Sequence, residues 1–304
     1  MRRRVKTAQA AARVLLAGLA AMTACGAPGS SRDTGAPPSR ASVAVEVPRC
    51  DQAARARISL ATARGRELAM MIVGSAENST LAWREAYAYI EYNVEKNDAE
   101  NRGYTGGIVG FTSRTADMLD VVTRYVAAVP DGELTPYLPA LRKVNGTSSH
   151  EGLGPAFRAA WKRAAQDPTF RAIQYTRAMQ LYFEPALKAA AADGVGPLGQ
   201  FAYVDAAIVH GQGRKPSGLA SIRDAARAKA TPPSAGGDEK RYLRAFLDAR
   251  VATMKQEKAH QDVTRIDTAQ RVWLEAGNTC LGLPLRWKVY GDAYEVTEVT
   301  RSGQ

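Results

Sequence analysis

Between residues 53 and 276 the apolar side chains recur at the spacing of one helix face, and a single glycine-rich stretch interrupts them. In that stretch, Arg102 to Thr112, Gly103, Gly106, Gly107 and Gly110 crowd together, and Tyr104–Thr112 reads as a small β-hairpin. The periodicity predicts helices over Ala53–Ala76, then from just after Ser79 or Thr80 through Val94, with Trp83, Tyr87 and Ile90 on its face. It predicts further helices over Thr115–Ala128, Thr135–Lys143, Leu153–Ala165, Pro168–Ala191, Leu198–His210, Ser217–Lys229, Lys240–Glu257 and Val263–Ala276. Gly and Pro clusters separate them, Asn97–Asn101 reads as a polar loop, and Lys288–Val296 suits a short strand pair. The fold class is therefore mainly α, with a small β element let into it.

The first 49 residues stand apart from this body. Arg2, Arg3, Arg4 and Lys6 precede an apolar run from Val14 to Ala24 that is too short to span a bilayer. Residues 1–24 read as a signal peptide. Cys25 follows small residues, so the mature chain is either simply secreted or lipid-anchored at Cys25. Residues 25–49, rich in Gly, Pro, Ser, Ala and Thr, read as a disordered linker. Residues 50–304 are long enough for one well-cored, bilobed domain. If Cys25 takes a lipid, Cys50 and Cys280 are left as a pair that an oxidising compartment could join. The net charge of +11 falls to +6 without residues 1–24, and no nucleic-acid motif accompanies it.

Several chemistries drop out. His150, His210 and His260 are scattered, which argues against a metal site, and no Gly-x-Ser-x-Gly elbow occurs. Gly194-Val195-Gly196-Pro197-Leu198-Gly199 matches a dinucleotide-binding string, but it follows a helix rather than a strand. What remains is a pair of carboxylates on different elements. Glu77 ends a helical pattern, and Glu100 precedes the glycine-rich hairpin. Glycoside hydrolysis needs such a pair, an acid for the leaving oxygen and a carboxylate for water or carbon. Two further charges lie within apolar stripes: Asp205 among Leu198, Phe201 and Ile208, and Arg250 among Leu243, Leu247 and Met254. Charges so placed must be paired.

Ser75-Ala76-Glu77-Asn78-Ser79, Tyr89-Ile90-Glu91 and Arg102-Gly103-Tyr104-Thr105-Gly106-Gly107 resemble the bacterial chitosanases of glycoside hydrolase family 46. The likeness continues through Asp117-Met118-Leu119, Leu198–Ala206, Phe246–Arg250, Arg265–Thr268 and Trp287–Asp292. It implies a bilobed, lysozyme-like fold and inverting endo-cleavage of β-1,4-linked glucosamine in chitosan. By the same resemblance Glu77 is the general acid. Glu100 stands where the family has an Asp as general base, with Asp98 as the alternative. Arg102 and Thr105 support the base and its water. Asp117, Glu91 and Glu257 bind substrate, and Asp205, Arg250 and Arg265 form a buried ion network. Gln261 replaces a family Asp.

A polyamine substrate bound by a basic protein requires a locally acidic cleft, which Glu91, Glu95, Asp98, Glu100 and Asp117 could supply. The expected partners are chitosan and glucosamine oligosaccharides, with no nucleic acid and no cofactor, and the chain is expected to act as a monomer. Two rivals stay open: a lysozyme-like muramidase, and a chitosan-binding surface lipoprotein whose catalytic site has been retired.

Overall fold

A computed structural model describes residues 50–94, 96, 101–257 and 261–299. The expected signal peptide, the linker and Cys25 lie outside these residues, as do Glu95, Asp98, Glu100 and His260.

The first predicted helix is two. Helix α1 (Gln52–Ile58) and helix α2 (Ala63–Asn78) are separated by a turn in which Thr62 Oγ1 accepts from Gly65 N–H, capping α2. Gly65 packs so closely on the carbonyl of Ser59 that a Cβ would have no room, which lets the chain double back there. Helix α2 buries Leu68, Ala69, Ile72, Val73 and Ala76, and ends at Ser79 in the left-handed region, φ 55°.

The second predicted helix is not one. Trp83–Ala88 is a 3-10 turn, and Ile90–Tyr92 is strand β1. Strand β1 pairs antiparallel with β2 (Tyr104–Gly106), which pairs with β3 (Phe111–Thr112). The β element is thus a three-stranded sheet. Gly107 (φ +76°) turns the chain beyond β2, and a side chain there would collide with Gln174.

Around this sheet gather α3 (Asp117–Ala128), α4 (Leu138–Val144), α5 (Pro155–Ala164) and α6 (Pro168–Ala178). Tyr104, Phe157, Trp161 and Phe170 fill the centre of this lobe through edge-on ring contacts. Helix α6 runs on through a π-helical turn, Met179–Phe183, into α7 (Glu184–Asp193). Since α6 packs on α3 and α7 packs on α8 (Pro197–His210), this long helix joins the lobes.

The second lobe adds α9 (Leu219–Arg227), α10 (Glu239–Gln256), α11 (Arg271–Glu275) and the hairpin β4–β5 (Leu285–Val289, Asp292–Val296). Buried Asp193 accepts from Tyr203, Tyr242, Arg223 and Arg227, tying α7 to α8, α9 and α10. A disulfide joins Cys50 to Cys280, with Cα atoms 5.2 Å apart. The architecture is mainly α with small antiparallel sheets, a bilobed lysozyme-like α+β fold. No described helix is long and apolar enough to cross a membrane.

Candidate active site

A cleft of about 250 Å³ lies between the lobes. Glu77, in the last turn of α2, stands in its wall and is only 8% exposed. The turn beneath it is pinned from the other lobe, where Trp287 Nε1 donates to Ser75 Oγ at 2.9 Å and that hydroxyl donates to Ile72 O.

Arg265 Nη1 donates to Glu77 Oε1 at 2.9 Å. The same guanidinium binds Asp205 of α8 through Nε (3.2 Å) and Nη2. Asp205 also accepts from Arg250 Nη1 of α10 at 2.7 Å and from Gln270 Nε2 at 2.8 Å. The two acids and two guanidiniums balance in charge and are almost wholly buried, with Asp205 1%, Arg250 0% and Arg265 6% exposed. Burial alone would raise the Asp205 carboxyl, but the charges of Arg250 and Arg265 outweigh it and hold the group below the usual carboxylate range. Arg265, opposed by burial, is pushed up by Asp205 and Glu77. Arg265 and Gln270 bracket a π-helical turn, Ile266–Gln270, that brings both onto one carboxylate.

On the facing wall, Asp117 begins α3. Its Oδ1 accepts from Thr112 N (2.8 Å), Thr115 Oγ1 (2.9 Å) and Met118 N (3.0 Å). Burial still pushes this carboxyl up, against the pull of those bonds. Arg102 lines the same cleft. Thr105 lies in β2 opposite Glu91 and Thr112, wholly buried, and its hydroxyl has no hydrogen-bond partner among the described residues. Glu91, on β1, accepts from Tyr89 OH at 3.1 Å and is not among the residues lining this cleft. Glu257 follows α10 directly and pairs with His210, which does line it. Glu100 and Asp98, the candidate bases, are outside the described residues.

Among the cleft residues absent from the sequence reading of the site are Tyr182, His210, Asp262 and Tyr290. Tyr182 rides on the π-helical turn between α6 and α7, where Gln212 Nε2 donates to the carbonyls of Leu181 and Tyr182. A π-helical turn often marks a functional position, but no sequence pattern announces it. Tyr290 has φ 53° in the β4–β5 turn, and burial pushes its hydroxyl up to about 12. Among the described residues no group of three His, Cys, Asp or Glu could hold a metal ion.

The arrangement has a definite chemical capacity. Glu77, Asp117 and Asp262 put three carboxylates on the walls. Of the two arginines there, Arg265 is already engaged by Glu77 and Asp205. Such a cleft attracts cations although the whole chain is basic. A buried carboxyl held at one oxygen by a guanidinium is oriented to exchange a proton through the other.

The chain matches the family profile described as Glycosyl hydrolase family 46 over residues 71–285. It is similar to a chitosanase of Streptomyces sp. strain N174, 51% identical over 231 residues, 76% of this chain and 81% of that one. A chitosanase of Nocardioides sp. strain N106 is 47% identical over 241 residues, covering 79% and 84%. Among solved structures, a complex of a Gynuella sunshinyii family 46 chitosanase with chitotetraose superposes with a TM-score of 0.70 at 35% identity. It covers 77% of this chain and 98% of that one.

Proposed function

The chain belongs to glycosyl hydrolase family 46 and is a glycoside hydrolase, and on that footing we propose that it is an exported endo-chitosanase. It cleaves β-1,4 bonds between glucosamine units with inversion. In this reading Glu77 protonates the leaving oxygen. Arg265 holds Oε1, so the proton is carried and delivered by Oε2. The Arg265–Asp205–Arg250 chain keeps that carboxyl from rotating. The base is Glu100, or else Asp98, activating a water on the opposite face of the sugar, with Thr105 and Arg102 helping to hold the water and the base. Asp117 and Glu257 receive the substrate's amines, and Glu91, outside the lining of this cleft, receives a further amine along the polymer. The protein works as a monomer, secreted or lipid-anchored at Cys25.

The setting of Glu77 supports this reading most: a buried, ion-paired carboxyl in the wall of an acidic cleft. The test is reducing-end release by the purified mature protein from chitosan and, separately, from bacterial cell wall. Chitosan should be cut and cell wall spared. Glu77→Gln should lose at least about 10²–10⁴-fold in rate. Nuclear magnetic resonance of the first products should show the α-anomer. A β-anomer would overturn inversion, and release from cell wall alone would favour a muramidase. Mass spectrometry of the native N-terminus decides between secretion and lipid anchoring.

A further inference from the structure

His210 and Glu257 meet at the cleft. His210 is the last residue of α8, and Glu257 directly follows α10. These two helices also carry Asp205 and Arg250, so the pair is a further polar tie between them. His210 lies five positions beyond Asp205, about 7.5 Å along the axis.

The imidazole is completely buried, while the Glu257 carboxylate keeps 23% of its side chain exposed. Nδ1 lies 3.3 Å from Oε1 and 3.2 Å from Oε2, so it faces the middle of the carboxylate rather than one oxygen. An ionised carboxylate only accepts, so Nδ1 carries the hydrogen.

We propose that His210 is a positioning residue for substrate binding, whose Nδ1–H holds the Glu257 carboxylate turned to receive a glucosamine ammonium. This rests on the reading of Glu257 as a substrate carboxylate. Burial lowers the imidazole's proton affinity, Glu257 pulls it back, and the nearby charges of Arg250 and Arg265 add to the lowering, so the balance favours the neutral ring. A neutral donor orients Glu257 without cancelling its charge. A lysine or arginine would orient it equally well and leave nothing for the incoming ammonium.

The test is steady-state kinetics on soluble chitosan with the mature protein, alongside melting curves. Glu257→Gln should raise KM. His210→Leu, which fills the space without a donor, should raise KM roughly tenfold to a hundredfold, as for a lost hydrogen bond to a charged group, with kcat within about twofold. His210→Asn, which presents an amide N–H near the Nδ1 position, should recover most of that loss. In the Glu257→Gln background, His210→Leu should add little. If Glu257→Gln leaves KM unmoved, the reading of Glu257 fails and the proposal falls with it. If Glu257→Gln raises KM but His210→Leu does not, or its effect is fully additive, only the positioning role is overturned. Should His210→Leu fail to fold, a folded His210→Asn with KM as high as that of Glu257→Gln overturns it equally.

Discussion

Asp205→Ala would remove the one carboxylate shared by two buried guanidiniums. Arg250 depends on it most, since its Nη1 reaches only Asp205 and, at 3.5 Å, Gln270. Its Nε and Nη2 have no partner among the described residues. Arg265 would retain Glu77 as its counter-charge. Deleting one member of a buried ion pair costs about 3–5 kcal/mol, because the survivor is stranded in low dielectric. For a body of this size each kcal/mol is worth roughly 2–4 °C, so Tm should fall by roughly 6–20 °C. The pH dependence has a definite sign. The Asp205 carboxyl is held below its ordinary range, so its stabilisation is present above its unfolded pKa near 4 and is lost as pH falls through the lower native value. The gap in stability between wild type and Asp205→Ala should be level from about pH 5 upward and should narrow on acidification. Urea denaturation followed by circular dichroism at pH 6 and at pH 3 measures both quantities. A gap under about 1 kcal/mol at pH 6, or one that widens in acid, would refute the argument.

Glu100→Gln should be far more damaging to chitosan hydrolysis than Asp98→Asn; the reverse order in kcat would move the base to Asp98. Asp117→Asn keeps the Oδ1 acceptor for its three donors but removes a charge that burial disfavours. Because the native pKa is raised, the stabilising balance lies below pH 4 and is lost as pH rises, so at pH 7 this variant should melt no lower than wild type while KM rises. A clear fall in Tm would count against that account. The Cys50–Cys280 bridge closes a loop of 230 residues. Replacing both cysteines by Ser should cost roughly 2–5 kcal/mol in urea denaturation, and no loss would show the bridge to be dispensable.

Most helices were legible because helix–helix packing writes itself locally, as a stripe repeating every three or four residues. The segment from Trp83 to Val94 shows where that fails. Trp83, Tyr87, Ile90 and Val94 fit a helix face, yet Tyr89-Ile90-Glu91-Tyr92 is equally suited to a strand. Pairing with Tyr104–Gly106 decides the matter, and a contact at that separation leaves no mark on local periodicity. The site divides in the same way. Asp205 and Arg250 betrayed themselves as charges inside apolar stripes. Arg265 carried no such mark, being 188 residues from the Glu77 it holds, and only the family resemblance singled it out. The distance of His210 from the other histidines argues only against a metal site, and the residue carries no other mark in the sequence. Its role depends on the facing end of α10, which no pattern around His210 foretells.

The turn between Arg265 and Gln270 has a consequence for how this fold can vary. Five positions along an ordinary α-helix are about 140° apart in azimuth, so the two side chains could not both reach Asp205. The wider π turn brings them back to one side. The π turn thus accommodates one residue more than an in-phase pair on an ordinary α-helix would need. Asp267 and Thr268 are exposed, and other side chains should be accepted there. Loss of either position would leave the two side chains four apart, about 40° in azimuth on an ordinary α-helix and still on one side. An added residue would set them six apart, about 240°, and swing Gln270 away from Asp205. Insertions should accordingly be purged from this short stretch of surface even where substitutions drift freely, while loss of one residue should be tolerated.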